Sequence, residues 1–332
     1  MLIRLSPAAK VVRRLPSLWL ACAVLSFLFD ISAAPSAKAN PAVARAAAVS
    51  TQPCGTGVSL RLSAVEAPQG GLIAATLVSS SPIAELQASW DGRILWFWTA
   101  RPWRTGGKEE REALLGVDLE KPAGSYEVQI SGQARGSAAF TCQAQIKVHD
   151  GHFATESLHV AKQFAEPDPQ QVQRANTERD KLRAIFDLVT HPPLWERGFR
   201  QPLDHVKTGG NFGKRRILNG IPGSPHSGVD FPAPTGTAIR SAQTGTVVLA
   251  EELFFSGNTV VVDHGLGIYT FYGHLSAYGV KLGEVVKRGQ ILGKVGATGR
   301  VTGPHLHWGL YINHARVNGL GIIRLLGKPQ PS

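Results

Sequence analysis

Four histidines and one aspartate stand at spacings that could build a metal-dependent hydrolytic centre. They fall in three short segments: Pro225-His226-Ser227-Gly228-Val229-Asp230, Tyr272-Gly273-His274-Leu275 and Gly303-Pro304-His305-Leu306-His307-Trp308. The residues around them read as short strands and glycine turns. In a strand, side chains two or four positions apart point to the same face. His226 and Asp230 are four apart, and Gly228 between them is expected to leave open space. His305 and His307 are two apart, so each pair can aim both side chains into one cleft. Two histidines and a carboxylate, with a fourth position left for water, make a catalytic zinc site. Any one of these histidines alone would read as a core or surface residue, and the set in this order is what carries the signal.

The stretch resembles the lysostaphin-type (LytM-domain) zinc endopeptidases, which cut peptide cross-links in bacterial cell walls. That family carries His-x-x-x-Asp, a lone His and His-x-His in this order. The resemblance runs from about Phe199 to Asn318 and takes in Pro232-Ala233-Pro234-Thr235-Gly236-Thr237 and Thr298-Gly299-Arg300-Val301-Thr302-Gly303-Pro304. It implies that His226, Asp230 and His307 hold one Zn2+ per chain, with His274 and His305 as the catalytic pair. One of that pair would hold or accept the proton of the attacking water and the other would stabilise the oxyanion. It also implies peptidoglycan as the substrate. Trp308 stands where a smaller aromatic is more usual and Gly309-Leu310 where a polar pair is common, so groove shape is expected to differ. No inhibitory segment is evident, although Asn211 and Asn219 lie close enough in sequence to be considered as further ligands. His264 and His314 sit at predicted turns and read as structural or solvated. His149, His152, His159, His191 and His205 have no motif partner.

The elements that position these residues are mainly β. Strand candidates in the metal-binding half are 245–251, 258–264, 268–273 and 306–312, with turns at Asp263-His264-Gly265-Leu266-Gly267 and Asn313-His314, and no long helix. The pattern predicts a compact antiparallel β peptidase domain over 199–332. Residues 151–198 read as a linker with one amphipathic helix. Asp168-Pro169 starts it, Val172, Ala175, Leu182, Ile185, Phe186 and Val189 recur at helical spacing, and His191-Pro192-Pro193 ends it. Its apolar face would pack on a domain or else meet a partner.

Residues 50–150 read as a sandwich-like, immunoglobulin-like β domain. Its expected strands are 72–78, 85–90, 94–98, 125–130 and 140–148, with Asp91-Gly92 as a hairpin turn. Trp90, Trp96, Trp98 and Trp103 cluster there, as core residues or as platforms for sugars. Cys54 and Cys142 bracket this domain without metal-ligand spacing and read as a structural disulfide.

At 332 residues the chain is long enough for two domains. Its formal net charge is +11, yet no block of five like charges occurs, so no nucleic-acid arm is indicated. A diffuse positive charge suits acidic polymers such as cell-wall material, and equally an ordinary basic exported protein. Residues 1–39 read as a signal peptide: Arg4, Lys10, Arg13 and Arg14, then an apolar run over 15–29, then Ala37-Lys38-Ala39 as a cleavage site, with Ala42-Val43-Ala44 as a second. The apolar run falls short of the ~20 residues that span a bilayer. A mature chain without a membrane span, in the periplasm or at the cell surface, is therefore expected, with a retained N-terminal anchor as the alternative. Nothing in the sequence fixes an oligomeric state.

The leading functional expectation is a zinc-dependent peptidoglycan endopeptidase. One alternative is a non-catalytic LytM-type activator of a cell-wall amidase, a class that usually lacks one or more of the ligands. The other is an adhesion or scaffolding protein whose β domain does the work.

Overall fold

The computed structural model describes residues 49–102, 107–195 and 198–326. The expected signal peptide and Trp103 lie outside the described residues. The described chain is mainly β.

The first half is built from two five-stranded sheets. One contains, in spatial order, Ser50–Gly55, Val58–Leu62, Leu72–Ser79, Glu109–Gly116 and Trp98–Arg101. The other contains Glu66–Pro68, Ala139–His149, Gly124–Ala134, Ile83–Trp90 and Arg93–Ile94. Ala139–His149 alternates exposed and buried positions along its whole length, the signature of a sheet with one wet face. Leu60, Ile73, Leu77, Leu115, Ile130 and Ile146 fill the core between the sheets. A disulfide joins Cys54 on the first sheet to Cys142 on the second, as expected.

The expected strand over 94–98 is instead two. Arg93–Ile94 closes a hairpin across Asp91-Gly92, both at positive φ (54° and 71°) as such turns require. The chain then changes sheets before Trp98–Arg101. Of the three described tryptophans of that cluster, only Trp90 belongs to the core between the sheets, and its Nε1 donates to the Gly116 carbonyl at 2.9 Å. Trp98 lies edge-on to Trp195, with ring centroids 4.9 Å apart, and packs on the core of the second half. Trp96 is half-buried against His191.

Glu109–Gly116 was not anticipated. Its Glu-Glu-Arg-Glu-Ala-Leu-Leu run is rich in helix formers, but burial on two faces overrides propensity. Leu115 enters the core between the two sheets while its neighbour Leu114 enters the core of the second half. Ile73 and Leu72 on the adjoining strand divide in the same way. That sheet therefore serves two cores at once.

The helix forms over Pro169–Asp187. Asp168 accepts from the Gln171 backbone while the Gln171 side chain reaches back to the Asp168 N–H, a complete capping box. Its apolar face packs on the second half. Phe186 is buried and stacks on Tyr311 at 4.2 Å, and Leu182 and Ile185 join Leu249, Leu253, Val261, Tyr269 and Phe271. Among the described residues no helix is long and apolar enough to cross a membrane.

The second half is one antiparallel sheet. Gly228–Pro232, His305–Ile312, Ile268–Tyr278, Gly257–Asp263, Gly245–Leu253 and Val285–Val286 follow in that spatial order. Eight successive residues of the Ile268–Tyr278 strand are buried, because the helix covers one face and the main core the other. A short helix, Gly319–Leu326, closes over Trp308. The connection adds a strand of its own: Thr155–Leu158 pairs in parallel with Arg215–Leu218, which turns back through Ile221–Pro222.

Candidate metal centre and cleft

Two neighbouring strands set the centre. Asp230 on Gly228–Pro232 pairs directly with His307 on His305–Ile312, which places both side chains on one face. His305 shares that face by alternation, and His226 enters just ahead of the first strand. His226 Nε2 lies 3.0 Å from Asp230 Oδ1 and 2.8 Å from His307 Nδ1, and His307 Nδ1 lies 3.0 Å from the same Oδ1. These are the only three acidic, histidine or cysteine side chains among the described residues whose ligand atoms all converge within 4.8 Å.

The protonation of this trio fits a cation. His226 Nδ1 lies 3.0 Å from the Asn211 carbonyl and must donate to it. A neutral imidazole carries one N–H, so Nε2 is left as a lone pair. Burial, with the nearby His307 and Arg216, lowers the His226 pKa to about 4 despite Asp230. Burial alone would push the Asp230 carboxyl up. The two imidazoles beside it, His226 and His307, outweigh that and hold it well below the usual carboxylate range. Three acceptor atoms thus meet with at most one proton among them. Two imidazole nitrogens and one carboxylate oxygen form a donor set that suits zinc. Asn211 holds both the side chain and the backbone of Asp230, with Nδ2 donating to Asp230 Oδ2 at 2.6 Å and Oδ1 accepting the Asp230 N–H at 3.1 Å. Arg216 adds a longer contact to Oδ2, at 3.4 Å.

His274 and His305 flank the trio. The Ile268–Tyr278 strand pairs with His305–Ile312 as far as Gly273 opposite His307, then with Ile291–Val295 from Leu275. His274 sits at that switch with φ +67°, an uncommon conformation for a non-glycine residue. Its ring is 4.7 Å from that of His305 and 5.9 Å from that of His307. His274 Nδ1 is 2.8 Å from the Thr298 carbonyl, and His305 Nδ1 is 2.8 Å from the Gly303 carbonyl. Each must donate there, so each presents Nε2 as its lone-pair nitrogen. Burial, then the neighbouring His307 and His305, lowers the His274 pKa to about 3.

All five sequence-derived candidates therefore meet in one place. The room beside Gly228 is not open, however. A Cβ there would lie 2.6 Å from His307 Cε1 and 2.8 Å from the Trp308 carbonyl oxygen, so the glycine makes way for the His307 ring. Trp308 does not shape the groove either. It points away from the histidines into the core, fully buried, against Phe231 and the Gly319 end of the last helix. Asn219 lies apart from the trio and clamps Val160 through its backbone N–H and carbonyl. His264 is buried and structural, bonded to the Thr244 carbonyl and the Thr270 hydroxyl. His314 pairs with Asp187 at 2.9 Å.

The cleft beside the trio has a volume of about 250 Å³, and its walls include Asp230, His274, His305, Arg216, Arg300 and Glu156. The sequence pattern did not single out the last three. Arg216 and Arg300 sit inside longer phrases with no spacing rule that marks them, and Glu156 arrives from the connecting segment on its added strand.

The model of peptidase family M23 matches residues 224–319. The peptidoglycan DD-endopeptidases ShyA and ShyC of Vibrio cholerae are 41% and 43% identical over 130 and 121 residues, covering 38% and 36% of this chain. The matched regions are 30% and 28% of those two proteins, so the chain spans less than a third of each. A crystal structure from Pseudomonas aeruginosa, assigned to peptidase M23, superimposes with a TM-score of 0.57 at 29% identity, covering 77% of this chain and 94% of that one.

Proposed function

We propose, from the premise that residues 224–319 are a domain of peptidase family M23, that the chain is a zinc-dependent endopeptidase acting on the stem-peptide cross-links of peptidoglycan. The observation that carries this reading is the convergence of five side chains in one cleft. Three of them pool ligand atoms that cannot hydrogen-bond one another to satisfaction, and two present free imidazole nitrogens beside them. The named activity of the two Vibrio cholerae relatives supplies the substrate class.

In this reading His226, Asp230 and His307 would hold zinc, which in such a site would acidify water and polarise a carbonyl. Asn211 and Arg216 keep Asp230 ionised and oriented, and the Asn211 carbonyl fixes the His226 tautomer. His274 and His305, each anchored through Nδ1 to a backbone carbonyl, turn Nε2 towards the trio and are placed to take the proton of the attacking water. A histidine that has taken that proton becomes an N–H donor. It can then stabilise the oxyanion of the tetrahedral intermediate and pass the proton to the leaving amine. The switch in strand pairing at His274 and the carbonyls of Thr298 and Gly303 keep both rings from turning away.

Action on cell-wall peptides requires export, to the periplasm or cell surface, and the Cys54–Cys142 disulfide supports an oxidising compartment. A non-catalytic activator of a wall amidase would have no use for a complete set of ligands and two proton carriers. The test is mass analysis of muropeptides released from purified sacculi. The expected products are cross-linked species converted to monomers, with release abolished by a chelator and restored by zinc. Release of glycan fragments with the cross-links intact, or release indifferent to chelator, would overturn the proposal.

A further inference from the structure

The cleft carries a positive charge that the fold leaves uncompensated. Arg300 lines the cleft with His274 and His305. Its guanidinium lies over the Phe255 ring, 4.4 Å from the centroid, and its backbone N–H donates to the Phe255 carbonyl at 2.8 Å. The preceding Gly299 has φ +75°, and a Cβ there would come within 2.4 Å of the Gly257 nitrogen, so the loop is clamped against 255–257. The side chain is therefore held in place before any ligand arrives.

None of the ion pairs among the described residues includes Arg300. The other charges in the cleft are already committed: Glu156 pairs with Lys214 at 2.8 Å, and Asp230 is taken by the histidines, Asn211 and Arg216. Burial and the neighbouring Arg216 lower the Arg300 pKa to about 10, an environment that favours an incoming anion. Arg216 is itself largely buried, and its Nε has no hydrogen-bond partner.

We infer that Arg300, with Arg216 behind it, binds a free carboxylate on the substrate residue next to the scissile amide. This deepens the endopeptidase reading and rests on it. A guanidinium offers paired N–H donors that match a carboxylate, and it is stronger in a partly desolvated wall than in water. The substrates favoured are thus cross-links that keep this carboxylate free, and those in which it is amidated are disfavoured.

The test uses two cross-linked peptides that differ only in carboxylate or carboxamide at that position. Cleavage is followed with the zinc-loaded full chain, and binding by calorimetry with its His305→Ala variant. The carboxylate peptide should bind about 10- to 100-fold more tightly and show the lower KM. Arg300→Gln should remove most of that preference, and Arg300→Lys should keep part of it. Equal affinity for the two peptides overturns the inference, as does a preference that survives Arg300→Gln, even if both peptides are cleaved. If neither peptide is cleaved but the Arg300-dependent binding preference is present, the carboxylate site at Arg300 stands while the endopeptidase reading, and with it the place of that site beside a scissile amide, falls. Should Arg300→Gln not fold, the comparison of the two peptides on the parent chain still decides.

Discussion

Gly228 does its work by having no side chain. The His307 ring occupies the space a Cβ would take, and the Trp308 carbonyl closes the other side. A backbone oxygen in a central strand cannot step aside, so in Gly228→Ala the His307 ring must move. Such displacement around a metal ligand typically costs about 10- to 100-fold in affinity. Competition with a chromophoric chelator should show zinc binding weakened to that extent in Gly228→Ala, and parent-like affinity would contradict this packing. At this scale the sequence was legible where alternation along a strand decides the geometry: His305 and His307, two apart on one strand, share a face, whereas His226 stands just ahead of the strand that carries Asp230. It was illegible where the partner is distant. Asn211 precedes Asp230 by nineteen residues yet holds it through two hydrogen bonds, and Arg216 and Arg300 line one cleft from distant segments with nothing local to mark either.

The elements obey their local patterns wherever a single face is buried. The Asp168-Pro169 start and the period of Leu182, Ile185 and Phe186 mark the helix, and the strand expected over 140–148 forms as Ala139–His149. Glu109–Gly116 escaped because two cores claim its two faces, which erases the period-two signal. The turn at Asp263–Gly267 holds a second element-scale consequence. His264 is fully buried, and burial lowers its pKa from 6.5 to about 4. Its folded-state pKa lies below its unfolded value, so the unfolded chain takes up a proton that the native state refuses. Stability from this group is complete above about pH 6.5 and is lost as pH falls towards 4, by about 2–3 kcal/mol. His226 and His274 act with the same sign in zinc-free protein. Urea unfolding of the zinc-free chain at pH 7.5 and 4.5 should show this loss, and His264→Gln should have a shallower acid dependence. An identical dependence in the variant would rule out His264 as a source.

Across the whole molecule, the sandwich and the metal-binding half are joined by packing as well as by chain. Phe212 lies over Gly70, where a Cβ would approach within 2.2 Å of its ring, and so anchors the loop that carries Asn211. Arg316 holds Asp118 through its backbone and guanidinium, and Leu114 and Leu119 enter the second core. The first half thus braces the metal centre from behind, a role that no composition or motif announces because it depends on which strand faces which core. The central claim is the division of labour in the cleft: His226, Asp230 and His307 hold the metal, and His274 and His305 carry the proton. It is tested most directly by measuring zinc content and sacculus digestion side by side in the parent, His305→Ala and His307→Ala. The account predicts that His305→Ala keeps about one zinc per chain and loses about 10²- to 10⁴-fold in rate, while His307→Ala loses the zinc itself. Zinc retained in His307→Ala and lost from His305→Ala would exchange their roles, and digestion at the parent rate by both would contradict the account outright.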